Sequence, residues 1–472
     1  LEPPTAGRGE LPVAVIGAGP SGLAAMRALS RQGLEFVGFE QHTDVGGLWN
    51  IENPASTVYE SAHLISSRTT TEFAEYPMPA GTPDYPGHRH LQSYFRGYAD
   101  HFGLRGSIRF GTQVTAATQD DGGWQLSWRS AEGAGSGKFS ALIVATGTLH
   151  TPFVPGFPGT FSGEILHSAH YKNPSDLAGR RVLVVGAGNS GCDIAVDAVH
   201  HAASVDISVR RGYYFIPKYI FGRPTDTLNQ GRPLPRPLKQ FIDKRLLRMF
   251  TGDPRRFGFP EPGYRIYESH PVVNSLILHH LGHGDLEVMP DISRLDGHTV
   301  HFRDGSAREY DLILLSTGYV LSYPFLNRAE LGWNGPSPSL YLNMFSRQAE
   351  NLIVVGMVEA SGLGWEGRYK QAELAAAYLA AQVNAPQRAA GFRQAIAGPS
   401  PDMTGGYKYL GLDRMSYYVN KDAYRAQIAA HLALLHPTVQ PAVQRGQPGQ
   451  PTVQPVVQSA AATRGGAGTH AH

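Results

Sequence analysis

The sequence predicts an α/β chain of two Rossmann-like dinucleotide-binding domains, one interrupting the other, and three observations predict it. Gly17-Ala18-Gly19-Pro20-Ser21-Gly22 and Gly186-Ala187-Gly188-Asn189-Ser190-Gly191 are two copies of G-x-G-x-x-G. Each follows an apolar run, Val13–Ile16 or Arg181–Val185, and opens into helix-forming residues. Two further apolar runs, Ala141–Gly147 (through Thr146) and Asp311–Gly318 (through Thr317), read as buried parallel strands that end in small-residue turns. With 55 glycines in 472 residues, one isolated fingerprint would carry little; two in full strand-turn-helix context carry the assignment.

Along the chain, Gly17 permits the first tight turn, Gly19 lets backbone approach a pyrophosphate, and Gly22 lets helix and strand pack closely. Pro20 and Ser21 open the helix, whose free amides and dipole favour an anion. The next strand, read as Leu34–Phe39, ends on Glu40, an acceptor for adenosine ribose hydroxyls and a repellent of a 2′-phosphate, so this site suits FAD or NAD. The second copy repeats the design with Gly186, Gly188, Asn189, Ser190 and Gly191, and its helix is expected to start near Cys192. Its following strand, Val205–Val209, ends on Arg210-Arg211, whose guanidinium groups offer planar charged hydrogen bonds to a 2′-phosphate. That assigns NADP(H) to the second site, the alternative being one working site beside a decayed duplicate.

Lys plus Arg number 41 against 39 Asp plus Glu, a net charge of +2, with no long run of one sign. The composition therefore suggests neither a nucleic-acid nor a membrane-surface partner. A single cysteine, Cys192, excludes an internal disulfide and the paired thiols of a disulfide reductase. No run of 18 apolar residues occurs, and residues 1–10 lack an apolar signal core, so the chain reads as soluble and cytoplasmic. Residues 1–155 and 316–436 are read as a discontinuous FAD domain, with the NADP domain, 156–315, inserted and the active site in the cleft between them. Residues 212–267 are rich in Pro, Arg and aromatics without clear periodicity and read as an insertion in that second domain. Residues 437–472 repeat Pro-Thr-Val-Gln-Pro, lack aromatic, Leu, Ile and acidic residues, and are expected to be disordered.

Phe161, Gly163, His167 and Tyr171 match the pattern F-x-G-x-x-x-H-x-x-x-Y, followed by the second glycine turn. On this combination the chain, from Leu11 to about Val383, resembles the flavin-containing monooxygenases, the class B flavoprotein monooxygenases. Gly46-Gly47-Leu48-Trp49 resembles the family's flavin-contacting segment, Arg210-Arg211-Gly212 its NADPH phosphate clamp, Thr317-Gly318-Tyr319 its second turn, and Tyr76-Pro77-Met78-Pro79 its aromatic-Pro-x-Pro stretch. The resemblance implies FAD in the first site and NADPH/NADP+ in the second, with Val114, Thr146 and Gly147 also against the cofactor. It implies C4a-hydroperoxyflavin oxygenation of a soft nucleophile, N- or S-oxygenation of a small organic substrate by O2. A homodimer is likewise an expectation of the resemblance alone.

One departure concerns the segment Tyr59–Thr69, which lacks the Asn that many relatives place beside the flavin. Ser66, Ser67 or Thr69 is expected in its stead, and Arg68 resembles the cation with which a Baeyer–Villiger enzyme stabilises a deprotonated peroxide. The longer Baeyer–Villiger pattern is not met, because Tyr171-Lys172 stands in its place. Baeyer–Villiger or decarboxylative oxygenation is the alternative within the chemistry; an NADPH oxidase or redox-responsive nucleotide-binding protein is the alternative outside it. His167 and Tyr171 are expected at the domain junction, His167 either in the chemistry or fixing the linker through backbone hydrogen bonds. No metal is expected: His279 and His283 share a helix end without a completing carboxylate. Amides near Gly362–Gly364 are expected at the flavin ring, Glu359, Trp365 and Tyr369 near the substrate, and the tyrosines of 407–418 in packing.

Overall fold

The computed structural model describes residues 11–120, 123–229 and 234–436. The expected disorder of residues 437–472 lies outside the described residues.

Two five-stranded parallel sheets organise the chain. The first runs Leu352–Val354, Ala141–Val144, Val13–Ile16, Phe36–Phe39, Ile108–Arg109. The second runs Glu164–His167, Leu312–Leu315, Arg181–Val185, Ser204–Ser208, Glu287–Met289. Strand order matches across four positions, each fingerprint strand lying third from the same edge; only the outer strand beside Ala141–Val144 or Leu312–Leu315 differs in its place along the chain. The central strands are buried along their length, as the apolar runs require. Each sheet has a smaller companion: antiparallel Gln113–Asp120, Gly123–Ser130 and Gly133–Phe139 beside the first, and beside the second a four-stranded mixed sheet in which Gly159–Phe161 runs parallel to Ile292–Gly297, followed by antiparallel Thr299–Phe302 and Ala307–Glu309.

The fingerprint helices span Pro20–Arg31 and Asn189–His201, the latter beginning three residues before Cys192 because the turn closes directly into helix at Asn189. Cys192 is fully buried and its thiol is pushed well up by burial, a packing residue in the helix's first turn. Behind the first sheet, Gly364–Asn384 packs on Pro20–Arg31; its alanines at 372, 375, 376, 377, 380 and 381 are buried and let the helices approach closely. Asp206, buried on its strand, accepts from Arg308 with both oxygens at 3.0 Å and from Tyr310 at 2.7 Å, which pins the four-stranded mixed sheet to the parallel one.

Where the sequence shows no periodicity, between 212 and 267, the structure places a hairpin, Tyr219–Ile220 with Arg223–Pro224, and a sixteen-residue helix, Arg236–Thr251. Its apolar residues lie mostly on its exposed side.

Trp124 is fully buried and donates from Nε1 to the Glu350 carbonyl at 3.1 Å, joining the first antiparallel sheet to the body beneath. Trp124→Ala should lower unfolding free energy by about 3–5 kcal/mol, read as a fall in the urea midpoint at unchanged slope.

Candidate functional site

Strand, turn and helix meet at the first fingerprint in a geometry only glycine allows. A Cβ at Gly22 would lie 1.8 Å from the Gly17 carbonyl oxygen, and Gly17 itself has φ of +104°. Glu40, just past the second strand, is buried; its Oε2 accepts from the Ala18 amide at 2.7 Å and its Oε1 from the His42 amide at 3.0 Å. Burial raises its carboxyl pKa, while these amide bonds favour the charged form. Gly47, in the turn Gly47–Trp49, faces Gly19: a Cβ at Gly47 would stand 3.0 Å from the Gly19 Cα. Backbone is thus exposed on both sides of one groove.

That groove is part of a cavity of about 1080 Å³, beyond the usual size of a pocket for one small ligand. Of the expected cofactor residues, Gly17, Gly19, Pro20, Ser21, Glu40, Gly47, Leu48, Trp49, Val114, Thr146 and Gly147 line it; Gly22 lies behind the turn. Glu359, Gly362, Gly364 and Trp365 line it too, with Trp49 and Trp365 edge to face at 6.5 Å. Tyr369 does not; its hydroxyl accepts from Arg31 at 2.6 Å. The Thr146 hydroxyl and His42 Nε2 are buried without a protein partner, so the cradle holds polar groups that a ligand can satisfy. An acid at the ribose end, facing glycine backbones and unpaired polar atoms fit a flavin adenine dinucleotide: Glu40 would hold the ribose and the 17–21 turn the pyrophosphate.

The segment that lacks the flavin-side Asn divides. Ser66 lines the cavity, its hydroxyl 2.6 Å from that of Thr71. Ser67 is buried, and its amide donates to Asp226 Oδ2 at 2.7 Å, where Thr70 also donates at 2.5 Å. Arg68 starts a short helix, Arg68–Thr71, and reaches the Pro79 carbonyl; Thr69 is exposed; neither lines the cavity. Asp226 comes from the insertion, lines the cavity and keeps its other oxygen buried without a partner. The sequence reading missed it, since nothing near it forms a recognisable motif. It also assigned the tyrosines of 407–418 to packing, whereas Tyr407, Tyr409 and Tyr418 line the cavity, Tyr409 and Tyr418 edge to face at 4.9 Å. Lys421 stands beside them with its pKa lowered by burial.

The second fingerprint copies the first: a Cβ at Gly191 would lie 1.9 Å from the Gly186 carbonyl oxygen. Gly186, Gly188 and Asn189 are half-buried and Ser190 is exposed; none lines the large cavity. Asn189 bridges toward it, accepting from the Val273 amide at 2.7 Å and donating to the Pro271 carbonyl at 3.3 Å. Arg210 is exposed; Arg211 lies 5.5 Å over the Tyr213 ring with Nε buried and unpaired, so cationic atoms stand beyond the second strand where Glu40 stands beyond the first.

His167 and Tyr171 lie apart from the cavity. His167 Nε2 donates to the Gly318 carbonyl at 3.1 Å while Nδ1 accepts from the Ala169 amide at 3.1 Å, the pattern of a neutral imidazole, and burial lowers its pKa. It fastens the strand Glu164–His167 to the Thr317-Gly318 turn, where Thr317 donates to the Phe153 carbonyl. Tyr171 is fully buried, donates to Asp197 at 3.0 Å and packs 5.6 Å from Tyr59.

The sequence profile of a family described as flavin-binding monooxygenase-like matches residues 11–397. Flavin-containing monooxygenase 5 of Oryctolagus cuniculus is 33% identical over 377 residues, 74% of this chain and 70% of the relative. Flavin-containing monooxygenase 1 of Homo sapiens is 31% identical over 374 residues, with the same coverage. Among solved structures, S-allyl-L-cysteine S-oxygenase from Allium sativum superposes with a TM-score of 0.62 at 21% identity, covering 90% of this chain and 88% of that one. Cyclohexanone monooxygenase from Rhodococcus sp. Phi1, bound to NADP+, gives 0.65 at 20% identity over 90% and 97%.

His270 lines the cavity, its Nδ1 3.2 Å from the Tyr418 hydroxyl, and burial above all, with Arg414 adding, lowers its pKa to about 3. The unfolded chain takes up this proton near pH 6.5 and the folded one does not. Stability should therefore be constant with respect to His270 above that pH and fall below it, by at most ~1.4 kcal/mol per pH unit. Urea midpoints from pH 7.5 to 5 should decline less steeply in His270→Gln; parallel curves would refute the assignment.

Proposed function

We propose, from the premise that the chain belongs to the flavin-binding monooxygenase-like family, that it oxygenates the nitrogen or sulfur of a small organic molecule. It is a flavoprotein monooxygenase whose cofactors are FAD and NADPH. The observation that carries the finer reading is the single cavity that runs from the Glu40–Gly19–Gly47 cradle past Ser66 to a chamber walled by tyrosines. Bound FAD, reduced by NADPH, supplies the oxygen activation, which no side chain can.

The protein's residues bind, orient and exclude water. Residues 1–155 and 316–436 form the FAD domain in this reading, and 156–315 the NADP domain. Gly17, Gly19, Pro20, Ser21 and Glu40 hold the dinucleotide; Trp49 and Trp365 wall the flavin end against water, and amides near Gly362 and Gly364 face the ring. Ser66 is the hydroxyl offered where relatives place Asn. The second turn and Arg210-Arg211 hold NADPH, and His167 keeps the junction in register. Oxygenation of nitrogen or sulfur is favoured over Baeyer–Villiger chemistry because Arg68, the cation that chemistry would use, turns to the Pro79 carbonyl. Tyr171 and Lys172 are likewise committed to Asp197 and to the Ser56 and Val58 carbonyls.

The test is NADPH-driven turnover of a thioether, a tertiary amine, a cyclic ketone and a 2-oxo acid, with product mass and peroxide followed together. Gain of one oxygen atom on sulfur or nitrogen supports the reading. Ester formation or decarboxylation would replace it with the alternative chemistry, and stoichiometric peroxide without product would make the protein an oxidase. Replacing Arg210 and Arg211 together with Ala should weaken NADPH roughly ten- to a hundredfold and leave NADH unchanged. Equal loss of both nucleotides would remove the clamp.

A further inference from the structure

Among the described residues, five Lys and Arg side chains line the large cavity: Arg236, Lys239, Arg368, Lys421 and Arg425. Two of them are committed to protein groups. Lys239 pairs with Asp243 at 2.6 Å, and Arg368 donates to the Gly364 carbonyl at 3.0 Å and approaches Glu359 at 3.7 Å. Arg236, Lys421 and Arg425 make neither an ion pair nor a side-chain hydrogen bond among the described residues. Arg236 and Lys421 are half-buried, so each gives up part of its hydration with no protein acceptor in exchange. Burial lowers the Lys421 pKa, with Arg425 and Lys239 adding to the fall and Asp422 and Asp226 opposing it. Like charges set close together in a partly dry site favour an anion between them.

The nucleotide phosphates do not account for these cations. The pyrophosphate of the first dinucleotide belongs at the 17–21 turn, and neither the second glycine turn nor Arg210-Arg211 lines this cavity. Nor do the cavity's own acids serve: Glu40 accepts from two backbone amides, Glu359 faces Arg368, the free oxygen of Asp226 is buried, and Asp422 is exposed. Neutral donors complete the wall. Tyr407 and Tyr409 stand with ring planes 7° apart at 6.4 Å, and their hydroxyls make no hydrogen bond among the described residues. Two glycines leave room beside the charges: a Cβ at Gly362 would lie 3.7 Å from Lys421 Nζ, and one at Gly406 3.4 Å from an Arg236 guanidinium nitrogen.

We propose that the chamber takes a substrate bearing a carboxylate, a small thioether acid or amino acid, whose carboxylate is held by Lys421 and Arg236. Arg425, exposed where it lines the cavity, stands at the opening and draws the anion in. The inference rests on the oxygenation reading above, which supplies the soft sulfur or nitrogen; the chamber adds the requirement for charge. Lys421 stands beside Gly362, in the stretch assigned to the flavin ring, so the carboxylate is bound at the reacting end of the cavity and not at its adenosine end. A substrate of net positive charge meets three uncompensated cations there and is disfavoured.

The experiment gives the full, FAD-loaded chain 3-(methylthio)propanoate and its neutral N-methylamide. Sulfoxide formation is followed with NADPH, and the shift of flavin absorbance on binding is followed without it. The acid should show a KM and a dissociation constant about tenfold below those of the amide, with the gap narrowing as salt rises. In Lys421→Gln with Arg236→Gln the ratio should fall to near one, flavin absorbance per chain serving as the measure of an intact fold. Equal constants for acid and amide in the unaltered chain overturn the proposal, as does a preference that survives both substitutions. Weaker NADPH binding in the variant with the preference intact would give these cations to the nucleotide instead. If neither compound is oxygenated while the acid still binds the more tightly, the oxygenation reading fails and the carboxylate site stands; an acid that does not bind removes the site.

Discussion

Everything near the cofactor depends on how closely a helix can sit on the strand before it. At Gly22 and again at Gly191 the space a Cβ would need is already filled by the carbonyl oxygen of the first glycine of the same turn, 1.8 and 1.9 Å away. Any side chain there would push helix from sheet and swing the helix N-terminus off the sheet's carboxyl edge. With the contact in place, the amide-rich turn, the acid or arginines beyond the next strand, and the small-residue turns after the fourth strand all converge on one edge of each sheet. Both sheets obey the same constraint.

The backbone makes the two nucleotide cradles, whereas side chains from elsewhere make the chamber beyond. Asp226 and Lys239 come from the insertion, and Tyr407, Tyr409, Tyr418 and Lys421 from the stretch before the last helix, Lys421–Leu435. The cradles are rigid because glycine geometry and buried parallel strands leave them no alternative packing. The chamber is held by side-chain hydrogen bonds, such as the bond from the Ser67 amide to Asp226.

This division also explains what the sequence made legible. The strands, the fingerprint helices, Glu40 and the glycines were readable because each rests on local rules: apolar runs, glycine spacing, a charge at a strand end. The helix starting at Asn189 begins three residues before its expected start at Cys192, since helix ends are fixed by turn closure and not by periodicity. Asp226, the outward-facing helix and the tyrosine wall were not readable. Asp226 acquires its role from contacts 156 to 159 residues away in the chain, which no window contains. The outward direction of the helix is unreadable because spacing marks an apolar stripe and not which way it faces, and the tyrosines are unreadable because dense aromatics look alike whether they fill a core or line a void. Arg68 was singled out by residue type alone, and its backbone placement sends it elsewhere.

Asp226 has a consequence for how such a protein diversifies. One of its oxygens accepts from the Ser67 amide and the Thr70 hydroxyl while the other is buried without a partner, and Lys218 and Tyr219 of the same insertion reach His63, Tyr85 and Asp84, so the insertion is tied to the wall of the cavity at several points. A segment exchanged for the insertion would have to restore each of these partners, the acceptor for Ser67 and Thr70 first, for the wall around Ser66 to keep its shape.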